Sequence, residues 1–306
     1  DKGDEIRVTG TVLAHSGGSC ARTTGAEPSR RAAETIRSLE NSLKRLVGQH
    51  LGLETPRIFD NKAQEERRLR AAVASCGGPV DAWNRIDAVY QELPEKASRL
   101  AFSTLGVSRL GSHATTLVRY ATEIPKPNEK RLEELRDSRL ESLKFALLSS
   151  APVYPDLDEA VLKGWLEEAR RTLGDADPFI KAALEGREPG AVAEAVITGT
   201  KLGDAKMRQA LLDGGPTAIE RSPDPLISLA RRVDPVLREL RTWQDERLRS
   251  VEASAGQQIA DARFSAYGKT VYPDATFTLR LGFGRTLGYE EDTTLVPWTL
   301  PSSRTR

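Results

Sequence analysis

Apolar residues recur at helical spacing through most of the chain and at a spacing of two near its ends. Ile36, Leu39, Leu43, Leu46 and Val47 fall at steps of three and four and line one face of a helix expected over Ala32 to His50. At about 100° per residue, Asn41 lies about 200° from both Leu39 and Leu43, away from that stripe. Thr55 and Pro56 then supply an N-cap and a first helical residue, and Gly77 and Gly78 stop the next helix after Cys76. Cys76 continues the stripe of Leu69, Ala72 and Val73 as a small core hydrophobe. Glu65 to Arg70 reads as a solvated face.

Further helices are expected over Val80 to Gln91 and from Pro94 through Tyr120, with a break near Gly111. Pro125 and Pro127 interrupt the pattern. Leu132, Leu135, Leu140, Leu143, Leu147 and Leu148 predict one helix over Asn128 to Ser149. Asp156 or Asp158 is placed to cap the next, which runs through Leu173. Pieces at Pro178 to Glu185, Pro189 to Ile197, Asp204 to Leu212 and Pro225 to Arg232 lead to the longest, Pro235 to Tyr267. No fixed repeat length links them, which excludes a solenoid.

Alternation of period two marks the ends. Ile6 and Val8 share one side of a short strand in Asp1 to Gly10, and Thr11 to Arg30 is an aperiodic loop rich in Ser, Gly, Thr and Ala. Phe277, Leu279, Leu281 and Phe283 alternate with Thr276, Thr278, Arg280 and Gly282, so Tyr272 to Tyr289 reads as a strand and its hairpin. An isolated hairpin is marginal in water and needs further strands. The expected architecture is therefore mainly α: a helical domain over residues 31–270, inserted into a β-domain represented by 1–30 and 271–306.

Charge narrows the function classes. With 45 Lys plus Arg against 44 Asp plus Glu, a formal net charge of +1 offers no electrostatic footprint for nucleic acid. No apolar run is long enough for a membrane span, and no signal-peptide pattern follows Asp1. Cys20 and Cys76 are too few for a disulfide scaffold, and His15, His50 and His113 lack the spacing of a helical zinc pair. No metal or cofactor is expected.

The candidate motifs are incomplete. Gly282, Gly284 and Gly288 give a spacing one residue too long for a dinucleotide fingerprint and fit strand and turn positions. Thr198 to Asp204, TGTKLGD, lacks phosphate-loop spacing and reads as a helix end and restart. Ala21 stands where a hydrolase elbow after Ser19 needs Gly, and His15 in the same loop has no orienting group. Adjacent acids such as Glu290 and Glu291 come with no shaped pocket. Residue chemistry by itself yields no complete active site.

Several separated segments nevertheless resemble one family, in its order. They are LENSLK (39–44), LVGQHLGLETPRIFDNKAQEERRLRAAVA (46–74), EIPKPNEKRLEELRDSRLESLKFALLSSAPVYPDLDEA (123–160), TGTKLGD and ARFSAYGKTVYPDATFTLRLGFGRTLGYEED (262–292). They are similar to the helical domain of bacterial serine dipeptidyl aminopeptidases of the dipeptidyl-peptidase seven and eleven type. The resemblance implies a chymotrypsin-like double β-barrel carrying a Ser-His-Asp triad, with a large helical domain inserted between its parts and covering the cleft. It also implies peptide substrates with a free N-terminus, a periplasmic or secreted location and a homodimer.

By that resemblance, Asn41 within LENSLK matches a family Asn that helps hold the substrate's free α-amino group. No catalytic residue carries over, because the family's His and Asp precede the matched portion and its Ser follows it. Two segments depart from the family pattern, GTVLAHSGGSCARTTGAEPSRR near the start and VPWTLPSSRTR at the end. The expectation drawn from them is a truncated or frame-disrupted homologue that supplies lid and amine recognition without the triad. The rival expectation is a non-catalytic helical binding or scaffold protein.

Overall fold

The computed structural model describes residues 26–75, 81–268, 284–291 and 294–296. The expected strand at Asp1 to Gly10, the part of the expected loop that holds His15, and both cysteines lie outside the described residues, as do Tyr272 to Phe283. Residues 26–30, expected as the end of that loop, are helical. The chain divides between Ala266 and Tyr267 into two units.

The first unit is helical. Helices α1 (Ala26–Leu53) and α2 (Pro56–Ser75) pack against each other across Glu54 and Thr55. They are followed by α3 (Ala82–Phe102), α4 (Arg109–Glu123), two 3-10 turns (Asn128–Lys130 and Glu133–Leu135) and α5 (Asp137–Leu147). Then come α6 (Pro155–Leu173), α7 (Pro178–Leu184), α8 (Pro189–Gly199), α9 (Ala205–Asp213), α10 (Gly215–Glu220) and α11 (Pro225–Trp243). A π-helical stretch, Gln244–Arg249, joins α11 to α12 (Ser250–Tyr267).

One apolar core holds α4 to α11 together. Leu110, Ala114, Leu117, Val118 and Ala121 form the buried stripe of α4, which packs on α10 and α11. Leu162, Trp165, Leu166 and Ala169 do the same for α6 against α8. The Trp165 ring lies 5.2 Å from Phe102, tilted by 31°, and its Nε1 donates to the Phe102 carbonyl at 3.1 Å. That bond satisfies the indole N–H that burial would otherwise strand.

Local chemistry sets the helix starts. Asp177, Asp204 and Asp224 each cap the helix that follows, and Pro178 and Pro225 fill first-turn positions where no N–H is needed. Asp224 accepts from the Leu226 and Ile227 amides and also from the Thr200 hydroxyl and the Lys201 amide, tying the TGTKLGD turn to α11. That segment is, as expected, a helix end and restart.

Several boundaries differ from the periodicity. α3 continues through Pro94, whose side is exposed, and ends at Phe102; a non-helical link with Leu105 fully buried then precedes α4. Gly111 lies inside the first turn of α4, where an added Cβ would stand 2.1 Å from the Leu105 carbonyl oxygen. The glycine is there for close approach, not as a break. Asn128 to Ser149 is two 3-10 turns and a shorter helix, because side chains capture the backbone groups a longer helix would use. Asn128 Oδ1 accepts from the Asp137 amide at 2.8 Å, and the Glu123 carboxylate from the Leu132 amide at 3.0 Å. α11 passes through Pro235, which periodicity had set as a separate start.

Buried charge ties α4 to α11. Glu123, fully buried, accepts from Lys126 Nζ at 2.6 Å and Arg238 Nη1 at 2.5 Å. Burial would raise its pKa, but the Lys126 and Arg238 hydrogen bonds outweigh that and hold the carboxyl below its usual range. Arg238 also reaches Asp234 at 2.5 Å, while Arg241 makes a two-pronged contact with Glu134 at 2.6 and 2.9 Å.

In the second unit, β1 (Tyr289–Glu291) pairs antiparallel with β2 (Thr294–Val296), with Tyr289 opposite Val296 and Glu291 opposite Thr294. Residues 284–288 are exposed and carry no regular structure, so the described strand starts at the end of the expected one.

Candidate functional site

Asn41 sits on α1 with its side chain exposed, flanked by exposed Glu40 and Ser42. Leu43, Leu46 and Val47 of the same helix are half-buried, so the polar face carrying Asn41 is the one the apolar stripe leaves outward. Side-chain amides offer both an acceptor oxygen and two donors, which suits recognition of an ammonium or a peptide backbone. α1 also touches α6.

Of the three histidines, His50 on α1 and His113 on α4 are described. His50 Nε2 faces Glu54 Oε1 at 3.2 Å, just past the end of its helix. His113 is on α4, only 9% exposed, and hydrogen-bonded to no described group. Burial, then Arg208 and Arg109, push its pKa down to about 4, so its imidazole is neutral at pH 7. Among the described residues no three His, Cys, Asp or Glu side chains group as a metal site. Among the described residues no helix is long and apolar enough to cross a membrane.

His113 lines a cleft of about 540 Å³ between α4 and α5. Arg109, Ser112 and Thr116 share its α4 wall, and Arg139, Ser142, Leu143, Ala146 and Leu147 form the α5 wall. The chain leaves α4 where Glu123 holds Leu132, and returns to the α4 start where Arg109 Nη1 donates to the Pro152 carbonyl at 3.2 Å. The two helices therefore run in opposite senses, with Arg109 and Leu147 at one end of the cleft and Glu134 and Arg139 at the other.

Asp158 was expected to cap its own helix. Instead it caps α4: its oxygens accept from the Arg109 amide at 3.1 Å and the Leu110 amide at 2.6 Å, while Tyr154 and Pro155 begin α6. Burial outweighs these bonds and raises its pKa. Sequence reasoning missed the cleft altogether. The available signal was the spacing of Arg109, Ser112, His113 and Thr116, a polar i, i+3, i+4, i+7 stripe on a helix otherwise buried.

The peptidase S46 family model matches residues 17–300. An Asp/Glu-specific dipeptidyl-peptidase from Shewanella putrefaciens is 26% identical over 274 residues, covering 84% of this chain and 36% of that relative's length.

Proposed function

The chain belongs to the peptidase S46 family, and from that premise we propose that it forms the helical lid of a serine dipeptidyl-peptidase and recognises the substrate's free amino terminus through Asn41. The carrying observation is that Asn41 stands exposed on the polar face of α1, within the family match. A helical domain inserted between barrel segments supplies this recognition, and the β1–β2 hairpin belongs to the barrel that follows. The substrates are peptides met outside the cytoplasm.

Chemistry in this reading is acyl transfer in the barrel. A serine oxygen attacks the scissile carbonyl, a histidine moves the serine proton to the leaving amine, and water then releases the dipeptide from the acyl-enzyme. Asn41 does not touch the reacting atoms. Its Oδ1 accepts from the substrate ammonium and fixes that group at one distance from the nucleophile, so that cleavage falls after two residues.

The test uses a family member whose barrel and triad are in the same chain. Replacing the residue at the Asn41 position by Ala lowers kcat/KM on a dipeptide chromogenic substrate by about 10- to 100-fold, the value of a hydrogen bond to a charged group. The melting temperature stays within 1 °C or so, as for an exposed helical position. Unchanged kinetics remove the assignment. This chain assayed alone gives no turnover, and full activity would place the triad within it.

A further inference from the structure

The cleft between α4 and α5 has an asymmetric electrostatic build. At one end Glu134 is already held by Arg241 at 2.6 Å and faces Arg119 at 3.7 Å, and Arg139 pairs with Glu133 at 2.7 Å. That end is neutralised. At the other end Arg109 is exposed and, among the described residues, in no ion pair; its one described side-chain bond is to the Pro152 carbonyl. The rest of its guanidinium fork is unspent.

Behind this end lies Arg208, 1% exposed. Its guanidinium donates to the carbonyls of Leu147 at 2.7 Å, Leu202 at 2.5 Å, Gly203 at 3.1 Å and Ser149 at 2.8 Å, and among the described residues to no carboxylate. A buried cation held by carbonyls alone keeps its charge uncompensated, apart from the influence of exposed Asp204. Asp158, whose carboxyl feels the Arg109 charge, is committed to two backbone amides. His113 between them adds no negative charge. The floor beside this end is apolar: Leu143, Ala146 and Leu147.

We propose that this cleft binds a small carboxylate with an apolar body, its carboxylate on the free Arg109 fork beside His113 and its apolar part over Leu143, Ala146 and Leu147. A cleft of 540 Å³ is within the size range of small-molecule sites, about 300–1,000 Å³. The guanidinium fork matches a carboxylate in two parallel hydrogen bonds, and Arg208 favours the same sign of charge from behind. A free peptide C-terminus and a short organic acid share this chemistry. The lining helices are not the one that bears Asn41, and the site stands whether or not the lid reading holds.

Calorimetric titration of the 306-residue chain with N-acetyl-Leu-Leu, its C-terminal amide and hexanoate tests it. The acetylated dipeptide acid binds and its amide is at least about tenfold weaker, a difference of about 1.4 kcal/mol. Hexanoate binding alongside it marks a general carboxylate site, and its failure to bind marks a peptide C-terminus site. Arg109→Gln weakens binding about tenfold or more while Arg139→Gln changes it less than about twofold, since Arg139 is already paired. Ala146→Trp, at an exposed wall position, fills the cleft and abolishes binding with the melting temperature retained. Bound carboxylate also raises the His113 pKa, read from its ring proton by NMR. Equal binding of acid and amide, or no heat from either acid up to ~10 mM, overturns the proposal.

Discussion

His113 makes this fold acid-sensitive in a window of its own. Burial depresses its folded pKa to about 4 from the ordinary 6.5, so below pH 6.5 the unfolded chain takes up a proton that the folded chain refuses. Stability from this group is fully present above pH 6.5 and is lost as pH falls towards 4. For those two values, going from pH 7.5 to pH 5 costs about 2 kcal/mol by linkage. The imidazole lines an open cleft, and solvent screening there brings the expected loss to about 1 kcal/mol. The charged groups around it are Arg109 on its own helix, Arg208 from α9, Glu134 and Arg139 across the cleft, and Asp158 at the α4 start. Burial raises Glu134, but its hydrogen bond with Arg241 outweighs that and holds it below its usual range, while Asp158, raised by burial, is present in wild type and variant alike, so its proton uptake cancels between them. The assay is urea denaturation followed by circular dichroism at both pH values, for the wild type and His113→Gln. The wild type loses about 1 kcal/mol more than the variant on acidification. Parallel losses in the two proteins would refute the reasoning, since the proton uptake would then belong to other groups.

Three further outcomes follow from the packing. Glu123→Gln removes the fully buried charge between Lys126 and Arg238 and lowers stability by about 3 kcal/mol, read from the urea midpoint at pH 7. The same carboxyl, depressed by these partners, also stabilises above its ordinary pKa and loses that contribution below about pH 4.5, so the variant's deficit shrinks in stronger acid. Asp158→Ala removes the acceptors of the Arg109 and Leu110 amides while the Ser108 cap on the Gly111 amide remains, and costs about 1 kcal/mol, with faster hydrogen exchange at the Arg109 and Leu110 amides as its signature. Gly111→Ala puts a methyl 2.1 Å from the Leu105 carbonyl and costs about 1–3 kcal/mol in thermal unfolding; a neutral substitution would mean the link before α4 yields freely.

What the sequence settled is the part governed by neighbours along the chain. Proline starts α7 and α11, the leucine and valine stripes place the buried faces, and the exposure of Asn41 follows from its rotation away from Leu39 and Leu43. The family, too, is legible there, in segments such as LENSLK kept in order. Local spacing could not decide where a polar group spends its bonds. Asp158, well placed to cap its own helix, caps α4 from 48 residues away, and Glu123 draws the Leu132 amide out of an expected helix. Gly111 looked like a break until Leu105 filled the space its missing Cβ leaves. The cleft is the clearest case. Its charge comes from Arg109 on one helix, and from Arg208 buried behind another with only carbonyls for partners. An uncompensated charge is a property of what surrounds a side chain in three dimensions, and only the folded packing of α4, α5 and α9 determines it.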